Sequence, residues 1–228
     1  GLEGIWRLSV IGWLTSAVLF WQLHDVAARS PAQKHNSLAH LWPSARRVFP
    51  LLTWIMLPKM LMVVAITLYL PIFMSDERGA GLWISALALT ILEGAGVVGA
   101  LLTGTLSDKY GRSRVLLVLL TLAPIFLVLF LLGPAWLTIP MLIALGLTAI
   151  SPTPVMMAIV QDQFPDNRAM ANGTFMFLNF LVRAAAIWGV GLLADALGLT
   201  NAFLLSAVVA FLSIPAVFRL PDRVDPGS

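Results

Sequence analysis

Three ionisable residues lie deep inside long apolar runs: Lys59, Glu93 and Arg183. A charge near a bilayer centre costs at least ~2.5 kcal/mol, so such residues are kept where they meet solute, protons, water or one another. A carboxyl at that depth is held neutral or charged by its surroundings, which makes Glu93 the expected proton carrier. Arg183 cannot give up its proton and needs an anion, a carbonyl or water nearby. Lys59 and Arg183 outnumber Glu93, so a cavity holding all three would favour an anionic solute. Asn172, Asn179 and Arg183 are spaced seven and four apart and share one helical face. The expected substrate-binding residues are therefore Lys59, Asn179 and Arg183, with Asn179 orienting the solute and Glu93 coupling protons. The competing reading is a structural salt bridge from Glu93 to Lys59 or Arg183, an expensive way to glue helices at midplane.

A second cluster is polar, glycine-marked and basic: Gly104-Thr105-Leu106-Ser107-Asp108-Lys109-Tyr110-Gly111-Arg112-Ser113-Arg114. It separates two long apolar runs and reads as a tight turn. Gly104 permits close packing, Asp108 falls where a helix ends, and Gly111 makes the turn. The bases hold one face of the membrane. A third segment follows the fifth run: Asp162-Gln163-Phe164-Pro165-Asp166-Asn167-Arg168.

These groups need membrane helices to position them. A spanning helix takes about 20 mostly apolar residues. Seven runs meet that measure, at roughly 5–23, 47–74, 82–106, 114–132, 136–160, 170–196 and 201–218. The expected fold is an all-α membrane protein of seven transmembrane helices, with the last six in one bundle. Pro50, Pro58 and Pro71, and further on Pro152 and Pro154, favour bends. In the third run Gly94, Gly96, Gly99 and Gly104 read as packing positions. Met56, Met60 and Met62 read as packing or lipid-facing side chains. Residues 24–46 form the single polar linker, and the other connections are short. The first run lacks a basic leader and a small-residue cleavage site, so it reads as a membrane helix rather than a signal peptide.

Of 228 residues, 59% are hydrophobic and 11% charged, and the mean hydropathy is +0.92. A soluble domain carries about 25% charged residues, so lipid is the main solvent here. The absence of cysteine removes disulfides and thiolate chemistry. The formal charge of +3 bears on orientation rather than on nucleic acid, for which no role is expected. With the 104–114 turn inside, ten of the fourteen Lys and Arg residues fall on the cytoplasmic side. Only Arg7 and Arg78 fall outside, while Lys59 and Arg183 are within helices. That asymmetry places the N-terminus outside and the C-terminus in the cytoplasm.

The 104–114 cluster resembles the signature cytoplasmic loop of the major facilitator superfamily of secondary transporters. The 162–168 segment resembles the acidic-x-Phe-Pro…Arg stretch between that superfamily's tenth and eleventh helices. The resemblance implies helices six to twelve of a twelve-helix transporter. Residues 1–23 would be the helix before the central loop and 24–46 the cytoplasmic linker. Residues 47–228 would be the C-terminal six-helix half with a short cytoplasmic tail. It implies gating roles for Gly104, Asp108, Lys109, Gly111, Arg112, Arg114, Asp162 and Arg168. It also implies that the second, third, fifth and sixth runs line a cavity and that about five earlier helices complete the transporter. Residues 152–196 are similar to fosmidomycin-resistance-type exporters.

The implied function is secondary active, proton-coupled transport of a small organic solute, in a bacterial-type plasma membrane. The implied partners are that solute, the bilayer and the missing N-terminal helices. The alternative is a seven-helix receptor or sensor, but the last run has no lysine for a retinal Schiff base and no Asn-Pro-x-x-Tyr. Enzymatic activity is not expected. His24, His35 and His40 lack the spacing of a helical metal site, and no catalytic residue, metal or cofactor is expected.

Overall fold

The computed structural model of the chain describes residues 6–23 and 38–220. It divides into two compact units, Gly1–His40 and Leu41–Ser228. The first contains helix α1, Trp6–Leu23. The further helices are α2 Leu38–Asp76, α3 Leu82–Tyr110, α4 Arg112–Leu132, α5 Thr138–Leu145, α6 Pro152–Gln163, α7 Arg168–Leu197, α8 Leu199–Ala210 and α9 Ile214–Val217. The described residues contain no strand.

Among those residues, six helical stretches are long and apolar enough to cross a membrane: Ala45–Asp76, Leu82–Tyr110, Arg112–Leu132, Ala135–Gln163, Pro165–Leu197 and Leu199–Val217. They match the six runs expected from 47 to 218. The 5–23 run is helical as α1 but is not among the six. Its 18 residues span ~27 Å and include Arg7 and Gln22.

Two boundaries differ from the sequence reading. Helix α2 starts at Leu38, so the end of the 24–46 linker is helical; residues 24–37, with His24 and His35, lie outside the described residues. Pro43 removes one backbone donor near the start of the helix without ending it. Likewise α3 runs past 106 to Tyr110, and only Gly111 separates it from α4. The 104–114 cluster is thus a helix end, a one-residue turn and a helix start. Gly111 has φ +94° and ψ 135°, a conformation that costs other residues ~1–3 kcal/mol.

Helix α2 is continuous through Pro50, Pro58 and Pro71. In the fourth span the helical ladder instead widens into a π-type turn at Gly146–Ile150, just before Pro152. Pro152 and Pro154 lack the N–H groups that would bond the carbonyls of Thr148 and Ile150, and the wider turn accommodates that gap.

One face of α3 is buried along Ser85, Ala88, Leu92, Gly96, Gly99, Thr103 and Ser107. That face packs on α5, the π-type turn and α6. A Cβ on Gly99 would lie 2.7 Å from Leu147 O, and one on Gly146 would strike Leu92 O. The contact is therefore backbone against backbone. In lipid such close packing supplies adhesion, because acyl chains are already as apolar as leucine. The expectation for Gly94 and Gly104 fails, since open space surrounds both.

Helix α2 fills the centre with Leu52, Ile55, Met56, Met60, Met62 and Ile66, so its methionines pack rather than face lipid. Phe73 stacks on Phe203 at 5.2 Å and lies 5.7 Å from Phe130, tying α2 to α8 and α4. Trp54 Nε1 donates to Leu212 O at 3.0 Å. Of the six spans, those of α2 and α5–α6 are the most enclosed, and α3 and α7 the least.

Candidate functional site

The three intramembrane charges occupy different surroundings. Lys59 is almost fully enclosed, and its Nζ donates to Thr153 Oγ1 at 3.0 Å. Thr153 stands in the first turn of α6, directly after the π-type turn. Buried Ser151 donates to Leu147 O, and Thr103 of α3 lies 3.4 Å from Ser151 O. A neutral hydroxyl is thus the hydrogen-bond partner of a buried lysine, beside the π-type turn of the fourth span.

Glu93 is exposed on α3, one residue beyond the buried Leu92 and so off the packed face. At 1.5 Å per residue it lies ~16 Å from the Leu82 end of the helix. Arg183 is exposed on α7, roughly midway along it. Neither is within ion-pair distance of a partner among the described residues. Among the described residues no ion pair joins Glu93 to Lys59 or Arg183. Within this bundle the second and fifth runs are the most enclosed, and the most open faces belong to α3 and α7.

Asn172 and Asn179 are half-buried on α7. Asn172 Oδ1 and Asn179 Nδ2 are buried with no hydrogen-bond partner. A buried amide atom left unbonded costs about 1–3 kcal/mol. The stripe therefore offers one acceptor and one donor, two turns apart. Its seven-residue spacing was legible in the sequence, whereas the role of Thr153 was not.

The turn residues build a different kind of site. Arg112 Nε lies 2.9 Å from Asp162 Oδ2, an ion contact whose angle is not that of a hydrogen bond. Arg112 Nη2 lies 3.5 Å from Asp108 Oδ1, one helical turn back. These groups line a pocket of about 420 Å³ with Lys109, Gly111, Arg114 and Gln163. The structure thus brings Asp108, Arg112 and Asp162 together, as the two motifs suggested. Lys109 Nζ sits 5.4 Å from the Tyr110 ring centre. Arg114 is exposed on the pocket wall and Arg168 is exposed at the start of α7. Neither is within ion-pair distance of a carboxylate among the described residues, and a Cβ on Gly104 would meet open space.

At the far end of α4, Arg78 does something the sequence did not suggest. Its Nη2 donates to Phe130 O at 2.6 Å and Leu131 O at 3.2 Å. Its guanidinium lies over the rings of Phe130 and Phe73, at 5.5 and 5.9 Å. Among the described residues no group of three His, Asp or Glu side chains is arranged to hold a metal ion.

A sequence model of the Major Facilitator Superfamily matches residues 6–187 and 86–228. Over 128 residues the chain is 34% identical to the uncharacterized MFS-type transporter YfnC of Bacillus subtilis (strain 168). That stretch is 56% of this chain and 31% of that protein, so the chain spans about a third of the curated relative it matches. Six apolar spans, a basic one-residue turn cross-linked to the end of α6, and a family match over most of the chain agree: this is an integral membrane protein of the major facilitator superfamily.

Proposed function

We propose that this chain forms the C-terminal portion of a secondary transporter that moves a small organic, anionic solute by alternating access. The observation that carries the reading is the pair of mid-membrane charges, Glu93 and Arg183, without ion partners among the described residues, on the two least enclosed spans. Such charges are costly against lipid and tolerable against a wet path. Arg183 attracts the solute, and Asn179, with Asn172 below it, supplies unpaired amide atoms to hydrogen-bond it. Lys59 joins them only when it leaves Thr153. Glu93 carries the coupled proton.

Residues Gly104 to Arg114, with Asp162 and Arg168, form the cytoplasmic gate. The Arg112 contacts with Asp162 and Asp108 hold one conformation and part in the other. The excess of bases at this end supports a cytoplasmic placement, with the N-terminus outside, in a bacterial-type plasma membrane. The match to a third of a longer relative supports a partnership with further helices that supply the other half. Family membership lends nothing to the receptor alternative.

The test is a library of small organic anions presented to proteoliposomes of the full-length protein. Glu93→Gln is expected to abolish accumulation driven by a pH gradient while sparing solute exchange. Undiminished driven accumulation would remove the coupling role. Arg183→Ala is expected to weaken anionic solutes selectively; equal loss for neutral solutes would make Arg183 structural.

A further inference from the structure

We propose that the pocket at the Gly111 turn binds a phosphoryl anion, supplied by the headgroup of an anionic phospholipid or by free phosphate. Its volume, about 420 Å³, falls in the range of small-ligand sites. Three bases line it, Lys109, Arg112 and Arg114, against two acids, Asp108 and Asp162. Three minus two leaves one net positive charge. The acids do not saturate the bases. They engage Nε and Nη2 of Arg112, while its Nη1 is buried with no hydrogen-bond partner. Arg112 thus keeps an unused donor at the pocket, and a planar guanidinium with donors to spare matches the oxygens of a phosphate once its side chain turns toward one.

Lys109 and Arg114 stand exposed on the same wall, with no carboxylate of the described residues within ion-pair distance. The first turn of α4 adds Ser113 and backbone N–H groups that precede the first helical bond, Val115 N–H to Gly111 O. Helix N-termini favour anions.

The surroundings favour a lipid as the source. Val98, Leu102, Leu106 and Tyr110 are exposed on α3 at four-residue intervals. They form an apolar row that ends at the pocket, because Tyr110 is part of its wall. An acyl chain can lie along that row while its headgroup meets the bases. This inference rests on the membrane span and the pocket, not on transport. Failure of the Glu93 test leaves it standing, and its own failure leaves solute transport standing.

The experiment counts phosphatidylglycerol and phosphatidylcholine molecules retained by the detergent-purified full-length protein, using native mass spectrometry. Wild type is expected to retain phosphatidylglycerol in clear preference. Each basic side chain removed should cost roughly fivefold in that preference. The paired substitution Lys109→Gln with Arg114→Gln touches only exposed side chains and so tests the site without risking the fold. Arg112→Gln is expected to have the same effect, and Asp108→Asn the opposite one. Equal retention of the two lipids by wild type, with no binding of inorganic phosphate, would overturn the proposal. So would an unchanged preference in the paired variant. Inorganic phosphate that displaces the lipid assigns the site to free phosphate, and lipid that resists it assigns the headgroup.

Discussion

An arginine meets each end of helix α4, Arg112 as its own first residue and Arg78 from the turn after α2, and the two are held in opposite ways. Arg112 opens the helix, where the backbone dipole is positive and a cation is repelled. Two carboxylates offset that repulsion, one at 2.9 Å and one at 3.5 Å. Arg78 lies at the closing end, where the dipole is negative and a cation is attracted. It bonds two terminal carbonyls and covers two rings. The same side-chain chemistry therefore gives an exchangeable contact at one end and a fixed cap at the other. Ion pairs between mobile side chains part at little cost, whereas backbone carbonyls deprived of their donor have nowhere to go.

The strongest challenge to this contrast is Arg78→Ala. It removes two charge-assisted bonds and the ring contacts, and should cost about 3 kcal/mol. Thermal unfolding in detergent should drop by several degrees, and a change within error would show that the cap is not structural. Arg112→Ala should cost ~1 kcal/mol or less, because the lost ion contacts are partly offset by relief from the dipole. If it matched Arg78→Ala in the same assay, the two ends would be alike.

Gly111→Ala ranks next, at ~1–3 kcal/mol from the strained backbone alone. Asp162→Asn should cost ~1 kcal/mol and loosen the turn. The chain has no cysteine, so Ser113→Cys provides a single labelling site on the pocket wall. Maleimide should react with it severalfold faster when Asp162→Asn is added, and an unchanged rate would mean that Asp162 holds nothing shut. The smallest effect is that of salt. Raising ionic strength from ~0.01 to ~1 M shortens the screening length from roughly 30 to 3 Å. Labelling at Ser113→Cys should rise with salt, while the stability difference between wild type and Arg78→Ala should stay constant.

How legible these features were depended on how local their causes are. The six spans and the Gly111 turn follow from apolar run length and one glycine, and both are present. The pairing of Arg112 with Asp162 could be anticipated because two recognisable motifs carry the partners. The exposure of Glu93 was within reach, since Ser85, Ala88, Leu92, Gly96 and Gly99 trace a small-residue face that skips it. Thr153 was not, because it bonds a lysine 94 positions away and no local spacing encodes that. Arg78 left no trace either, as its acceptors are backbone carbonyls, which every residue possesses. The prolines of the fourth span announced an irregularity, but the ladder yields upstream of them, at Gly146–Ile150.

The meeting of Gly99 and Gly146 with opposing backbone has a mechanical consequence. Gly99 and Gly146 each face opposing backbone, with Ser151, Ile150 and Ala95 filling the space around them, so neither α3 nor the Ala135–Gln163 span can slip along the other without driving a side chain or a Cβ into a peptide plane. Whatever rocking this bundle performs must carry the two as a single lever. Its fulcrum then lies elsewhere, among contacts such as those of α7, where side chains rather than peptides meet and rotamers can yield.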